Sequence, residues 1–558
     1  MYNILLGGAA GDGIETMSAL LEKMLKQSGC HLFTIRDFMS RVRGGHNFTQ
    51  IRFGNTLLHA HCDSLDGIFA IDETTYREHQ PQLSDDGFIL CDESLSINDH
   101  RALKLPLKAI AKELGNPKVI SSVAIGALLK IFDFSLEYAA DTLKNNLRAD
   151  LVEINLSALH RGFDLTKPRF GLKSAQTSDY LLLSGNTAIG LGALAAGIKF
   201  YSAYPMSPST TLLDFFSTHG DKMNVAAEQA EDEIAAINMA IGASYAGVPA
   251  MTGTSGGGFS LMVEALGFTG IAEIPLVVVD VQRPGPATGF PTRTEQSDLK
   301  FVISASQGEF PRMVIAVKDH TDCFYQAARS FALANKYQIP VILLSDQYLA
   351  DSTTTIPILD ASKIISAPTS ATGDLDENDL YRRYALTKSG ISPLAIPGKT
   401  EALVRVDSDE HDEYGQITES ADIRNKMVEK RMAKLELLKE ELIEPEFWGA
   451  HQCQSLLVGF GSTSGAIKEA VDLLNAKEMH YGALIFGDIY PLPTKRLKHF
   501  ASQVVEIINI EQNATGQLAS LIREEALICC NHSILKYDGR QLSVDDILTG
   551  IKNLKGGF

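Results

Sequence analysis

Cysteine is scarce and poorly spaced in this chain. Cys30, Cys62, Cys91, Cys323, Cys453, Cys529 and Cys530 are odd in number and include no CxxC pair. That argues against a disulfide framework, and it leaves no recognised set of four thiolates for zinc or an iron-sulfur cluster. Positive charge is in deficit as well: 50 Lys and Arg against 68 Asp and Glu give a formal net charge of −18. Binding to nucleic-acid phosphate or to an anionic membrane would work against that charge, so neither is expected. No run approaches the ~20 apolar residues of a membrane-spanning helix, and the opening Met1-Tyr2-Asn3 carries no basic leader. A reducing, cytoplasmic setting is the expectation.

What is present is the balance of a packed enzyme, with 45% hydrophobic and 21% charged residues over a length of 558. That length exceeds one ordinary core and predicts about three or four domains. Residues 1–175 read as α/β: a buried-strand pattern at 2–6 runs into glycines and a helical stretch at 14–26. Strand-like runs at 48–53, 67–71 and 87–91 then alternate with helical stretches up to about Leu159. A Pro, Gly and Ser bearing connector at 167–179 marks a boundary.

Residues 176–360 contain almost wholly apolar strands at 275–281 and 340–344. Strands of that kind need helices on both faces, which predicts a mostly parallel, doubly wound sheet with its ligand site at the carboxyl ends of the strands. Residues 361–448 lose periodicity at 374–379 and around Gly415, then offer a charge-laced helix at 423–442, a linker followed by a bridging helix. Residues 449–558 return to α/β, with strands at 455–458 and 483–486 and a helix ending at Leu474.

Two glycine-rich turns stand out. Gly7, Gly8, Gly11 and Gly13 follow a strand and precede a helix, where main-chain amides can cradle phosphate. Asp12 would repel an anion unless it points away, so a tight turn without a ligand fits equally. The order is GxxGxG, not the GxGxxG of a nicotinamide-binding fingerprint, which leaves a dehydrogenase as the runner-up. The run Thr252-Gly253-Thr254-Ser255-Gly256-Gly257-Gly258 precedes a helical stretch at 259–266, and its glycines permit close approach of backbone to a ligand. Between the turns, Glu228, Glu231, Asp232 and Glu233 precede a run of small and apolar residues; taken alone, they complement a helix dipole.

Glu233, followed by Ala235-Ala236 and Gly242, resembles the catalytic-glutamate stretch in the pyrimidine-binding domains of thiamine-diphosphate enzymes. Tyr204-Pro205-Met206-Ser207-Pro208-Ser209, Glu231-Asp232-Glu233, residues 252–258 and Gln282-Arg283-Pro284-Gly285-Pro286-Ala287-Thr288-Gly289 occur in the order seen in alpha subunits of 2-oxoacid:ferredoxin oxidoreductases. The amino-terminal segment is similar to the gamma subunit of the same enzymes through residues 8–13 and Arg43-Gly44-Gly45, so the chain resembles a gamma-alpha fusion of the 2-oxoglutarate synthase type. Pro491-Leu492-Pro493 and Asn513-Ala514-Thr515-Gly516-Gln517 continue the resemblance into a carboxyl-terminal domain similar to that of transketolase. The implied fold is a multi-domain α/β chain: a gamma-type domain, a doubly wound pyrimidine-binding domain and a transketolase-like carboxyl-terminal domain. Ser207 stands where the family usually has threonine; it retains the hydroxyl and lacks the methyl.

The resemblance implies roles. Glu233 would hydrogen-bond the aminopyrimidine ring, with Ile234, Ala235 and Ala236 desolvating it. Gly253, Thr254, Ser255 and Gly256 would bind the cofactor, and Ser207 and Thr288 the substrate. Arg283 ends the apolar strand at 275–281, where its fork suits a 2-oxoacid carboxylate; a surface arginine is the other reading. Arg43 and His46 would reach a distal carboxylate if their domain folds over the site, and otherwise sit in a solvated loop. Gly11-Asp12-Gly13 starts like the family's magnesium-diphosphate motif, but the next suitable asparagine is Asn47, too far on, so no metal ligand is assigned in this chain.

The implied reaction is oxidative decarboxylation of a 2-oxoacid, 2-oxoglutarate first, to its acyl-coenzyme A with reduction of ferredoxin. Thiamine diphosphate would be shared with a beta subunit that carries Mg2+ and a [4Fe-4S] cluster, in a dimer of heterodimers. Pyruvate or branched-chain specificity, a transketolase-like transferase and a non-catalytic assembly subunit are the alternatives.

Overall fold

The apolar pattern at residues 2–6 becomes the strand Tyr2–Ala9, which runs on through Gly7 and Gly8 because His46–Gly54 pairs with it antiparallel along its whole length. The computed structural model describes residues 1–39, 45–172, 179–364 and 380–556. Arg43, Gly44, residues 173–178 of the connector and the aperiodic stretch 374–379 lie outside them.

Two units divide the chain: Met1–Ser184 with Asp351–Ile358 and Ser543–Asp546, and Gly185–Ala350 with Leu359–Leu542 and Ile547–Phe558. The first unit is built on a mixed eight-stranded sheet. Its order is Ala102–Leu105, Leu83–Asp92, Leu65–Ala70, Tyr2–Ala9, His46–Gly54, His31–Asp37, Thr353–Pro357 and Tyr180–Ser184. Thr353–Pro357 comes from far along the chain, and side chains reinforce its pairing: Thr354 Oγ1 donates to the Leu32 carbonyl at 2.7 Å, and the Leu32 amide donates to Thr355 Oγ1 at 3.1 Å. Helices Ile120–Ile131 and Ala149–Asp164 cross closely, since a Cβ on Gly126 or Gly162 would collide with the main chain at Leu159 or Val123.

The second unit contains the expected doubly wound sheet. Strands Met313–Ala316, Pro340–Asp346, Leu276–Gln282, Ala250–Thr254, Phe200–Ala203 and Ala226–Gln229 lie side by side in that order, all parallel. Leu276–Gln282 and Pro340–Asp346 are buried throughout, as strands covered on both faces must be. A short antiparallel strand from far down the chain, Asp488–Tyr490, closes one edge; its buried Asp488 accepts from Arg329 at 2.6 and 2.8 Å. The carboxyl-terminal segment adds a five-stranded sheet ordered Glu446–Gly449, Tyr481–Phe486, Ser455–Phe460, Glu506–Glu511, His532–Leu535. Among the described residues no helix is long and apolar enough to cross a membrane.

The charge-laced helix runs Ala421–Lys439, and part of its charge faces inward. Lys430 Nζ meets both carboxylate oxygens of buried Glu273 at 2.6 and 2.8 Å, and Lys434 Nζ bonds the same carboxylate. Glu273 sits at φ 53°, just past the helix Gly256–Ala272, and Arg383 donates to its carbonyl at 2.6 Å. Burial opposes the Glu273 charge, yet Lys434, Lys430 and Arg383 hold its carboxyl down at about 2. Desolvation pushes Lys434 down to about 8. The carboxyl end of the helix Gly256–Ala272 is thereby anchored.

Candidate functional site

The amino end of Gly256–Ala272 lies where a doubly wound sheet places ligands, immediately after the strand Ala250–Thr254. Ser255 takes extended main-chain angles, φ −123° and ψ 170°, and turns the chain from strand into helix. The helix Glu233–Tyr245 brings the second component. Asp232 is its N-cap, accepting from the Ala235 amide at 2.7 Å. The acidic cluster therefore divides its work: Asp232 caps, Glu228 and Glu231 face solvent, and Glu233 is 3% exposed. Glu233 Oε1 is buried and has no hydrogen-bond partner in the protein. A buried carboxylate oxygen without a donor is costly and marks a position prepared for one.

The three glycines separate into different functions. A Cβ on Gly258 would strike Thr254 Oγ1 and come within 2.5 Å of Glu233 Oε1, so glycine here makes room for the carboxylate. A Cβ on Gly256 would lie 2.7 Å from the Asp298 carboxyl carbon. Gly257 has only the Ala287 carbonyl and the Met206 methyl beyond 3.6 Å, and stays open. Much of the close approach that glycine permits in this loop is thus by the protein's own carboxylates. Gly253 serves packing: a Cβ would sit 2.5 Å from the Tyr201 hydroxyl, itself buried and unpartnered. Ser255 Oγ is likewise buried without a partner, while Thr254 Oγ1 lies 3.3 Å from the Ser255 carbonyl and 3.9 Å from Met206 Sδ.

Arg283 follows Leu276–Gln282, as expected of a residue at a strand end, and is half-buried. Its Nη1 donates to the Ser207 carbonyl at 2.6 Å. Burial lowers its pKa, and the charges of Asp298 and Glu233 oppose that, which places the guanidinium in the field of both carboxylates. Ser207 and Thr288 are exposed, and Thr288 lies in a loop turned by Ala287 and Gly289, both at positive φ. Ile234 is 50% exposed and does not desolvate Glu233; Ala236, fully buried, is on the covered side of the helix.

Asp280 and Asp298 are site carboxylates that the motifs did not name. Asp280 is fully buried with neither oxygen bonded, and Asp298 Oδ2 is buried and unbonded. Burial, and then the neighbouring Asp298, hold the Asp280 carboxyl well above the usual range; burial and Glu295 push Asp298 up to about 7 against the pull of Arg283. The visible signal was a charge inside the otherwise apolar strand LVVVDVQ. The loop carrying Arg283 and Thr288 is stitched to the carboxyl-terminal sheet: the Gln296 amide donates to the Gln512 carbonyl at 2.7 Å, Asn513 Nδ2 to the Gln296 carbonyl at 3.1 Å, and Gln517 Nε2 to the Ser297 carbonyl at 2.7 Å. That gives the Asn513 to Gln517 motif a positioning role.

In the first unit Asp12 folds back, its Oδ2 accepting from the Ala9 amide at 2.9 Å, and a cleft of about 360 Å³ lies beside Gly11 and Gly13. His46 turns its Nε2 toward His79 at 2.8 Å. Arg43 is outside the described residues.

Residues 191–430 match the family described as pyruvate flavodoxin/ferredoxin oxidoreductase, thiamine-diphosphate binding. Residues 3–165 match pyruvate ferredoxin/flavodoxin oxidoreductase, and residues 454–547 match pyruvate:ferredoxin oxidoreductase core domain II. The chain is 31% identical to the 2-oxoacid:ferredoxin oxidoreductase subunit alpha of Sulfolobus sp. over 99% of this chain and 97% of that one. It is 31% identical to the 2-oxoglutarate oxidoreductase subunit KorA of Mycobacterium tuberculosis over 76% of this chain and 66% of that one. The solved 2-oxoglutarate:ferredoxin oxidoreductase from Magnetococcus marinus, with 2-oxoglutarate, coenzyme A and succinyl-CoA bound, superposes with a TM-score of 0.93 at 31% identity over 99% of both chains.

Proposed function

The chain belongs to the 2-oxoacid:ferredoxin oxidoreductase alpha subunits, and from that premise we propose that it decarboxylates 2-oxoglutarate oxidatively to its acyl-coenzyme A and passes the electrons to ferredoxin. The observation that carries the proposal is Glu233 Oε1, buried and unpartnered beside Gly258, where an added Cβ would displace it. The choice of 2-oxoglutarate rests on the chain's similarity to the Magnetococcus marinus and Mycobacterium tuberculosis proteins, both named for that substrate.

The residues present suit thiamine diphosphate. Glu233 would hold its pyrimidine ring, Ser255 Oγ is a second buried polar atom in need of a partner, and Gly257 leaves the turn open. When bound, the cofactor supplies the carbon nucleophile and electron sink that allow a 2-oxoacid to lose carbon dioxide. This chain's own part is positioning and charge. Glu233 would keep its side chain in a dry setting against that ring, where it would set the ring's protonation. Arg283, with Nη1 held by the Ser207 carbonyl, presents its remaining donors to the substrate carboxylate, and the exposed Ser207 and Thr288 hydroxyls border the same approach.

The active complex includes a beta subunit that carries the magnesium-diphosphate motif and the [4Fe-4S] cluster, with coenzyme A as co-substrate and a cytoplasmic dimer of heterodimers as the assembly. Two observations support a partner. The cysteines here have no cluster spacing, and the elements bearing Glu233, Gly258 and Arg283 expose large apolar side chains: Ile234 50%, Leu261 49% and Phe290 56%.

The test is anaerobic reduction of a viologen dye by the chain copurified with its partner, supplied with thiamine diphosphate, Mg2+, coenzyme A and a panel of 2-oxoacids. Coenzyme A-dependent reduction that favours 2-oxoglutarate supports the proposal. Preference for pyruvate or a branched-chain oxoacid reassigns the substrate. No reduction by a complex that holds iron and cofactor turns the reading to a transferase or an assembly subunit.

A further inference from the structure

Outside that site, the sharpest convergence of ligand-type side chains among the described residues is in the first unit, where the strand His46–Gly54 meets the helix Glu73–His79. His46 and His79 are each 8% exposed, and their Nε2 atoms face one another at 2.8 Å. Glu78 Oε2 lies 4.0 Å from His46 Nε2, on a side chain that is half in solvent. Phe48 packs against both imidazoles, its ring centroid 4.7 Å from that of His79 and 5.8 Å from that of His46.

The hydrogen bonding fixes one tautomer. His79 Nδ1 is 2.9 Å from Gln82 Oε1, and an amide oxygen can only accept, so the His79 proton sits on Nδ1 and Nε2 directs its lone pair at His46. This is how a metal-ligating histidine is normally held, with the nitrogen that does not ligate donating to a fixed acceptor.

We infer that His46, His79 and Glu78 form a binding site for one divalent transition-metal ion of the zinc class. Two imidazoles and a carboxylate are a donor set of that chemistry, and these three groups bring their donor atoms within 4.8 Å of one another. A shared proton would account for the two imidazoles facing each other, but it gives Glu78 nothing to do. Zinc-nitrogen bonds of about 2.0–2.1 Å in tetrahedral geometry separate two nitrogens by roughly 3.4 Å, so the pair opens by about 0.6 Å around the ion. Exposed Glu78 supplies both the third donor and the route of entry, and one position is left for water. The ion would fasten the start of the strand to the carboxyl end of the helix.

The test uses the full-length chain, tag removed and stripped of metal by chelation, titrated with Co2+ while its visible absorption is followed. The expected result is saturation at one equivalent without thiolate charge-transfer bands, with Zn2+ displacing the cobalt. Glu78→Ala alters a half-exposed side chain and keeps the fold, yet it weakens Co2+ binding at least tenfold; His79→Gln removes it, and Gln82→Ala weakens it by about 10- to 100-fold. Absence of Co2+ uptake by the unaltered chain overturns the inference, and so does a Glu78→Ala titration that superposes on that of the unaltered chain.

Discussion

Arg283 Nη1 donates to the Ser207 main-chain carbonyl at 2.6 Å, so one guanidinium ties together the loops after two strands, Leu276–Gln282 and Phe200–Ala203. Ala250–Thr254 lies between those strands, and the tie therefore crosses the sheet end from which the Gly256 turn emerges. A residue in that position both shapes the loop and presents charge.

Replacing it separates the two contributions. Charge-assisted hydrogen bonds are worth about 1.5–3 kcal/mol, and about 1.4 kcal/mol is tenfold. Arg283→Met should lower kcat/KM for the 2-oxoacid by about 10- to 100-fold, with Arg283→Lys intermediate because the charge survives and the fork does not. Steady-state dye reduction over a range of oxoacid concentrations measures this.

Gly258→Ala should displace Glu233 while leaving its own side chain unaltered. The added methyl competes for the space of Thr254 Oγ1 and Glu233 Oε1, and both are buried. Turnover of the assembled complex should fall by about 100-fold or more, since small displacements of a positioned group have effects of that size. Gly257→Ala, where no atom lies closer than 3.7 Å, should be far milder.

Much of this site was legible because it is local. Glu233, its N-cap Asp232 and the Gly256 turn are contiguous stretches whose strand-helix context follows from periodicity. The almost wholly apolar run at 275–281 likewise announced a central parallel strand. What escaped depends on long-range pairing. Thr353–Pro357 looked like the tail of the doubly wound segment and adds a strand to the first unit's sheet; Asp488–Tyr490 supplies an edge to a sheet formed far earlier in the chain. The helix at Ala421–Lys439 showed abundant charge but not its direction, and only the fold turns Lys430 and Lys434 onto Glu273. Asp298 belongs to a loop with no periodic pattern to place it against Gly256.

That buried cluster predicts an acid-sensitive term in stability. Glu273 is held at about 2 from an ordinary 4.5, so its contribution is present above pH 4.5 and is lost as pH falls toward 2. Glu273→Gln leaves two buried lysines unpaired and should cost about 3–5 kcal/mol near neutral pH. The gap in urea midpoint between variant and parent should narrow from about pH 7 to about pH 3.5.

Asp298 has the opposite sign. Its carboxyl is raised to about 7, so its contribution is full below the ordinary carboxylate pKa and is lost as pH rises through 7. Asp298→Asn should reduce the fall in melting temperature between about pH 4 and about pH 7, with the buried neighbour Asp280 contributing what remains.

Whether this chain organises 2-oxoacid decarboxylation around Glu233 is decided by Glu233→Gln in the copurified complex, scored for dye reduction with 2-oxoglutarate and for assembly with the partner. The expected result is an intact complex whose turnover is lower by about 100-fold or more. Turnover equal to that of the parent complex would contradict it.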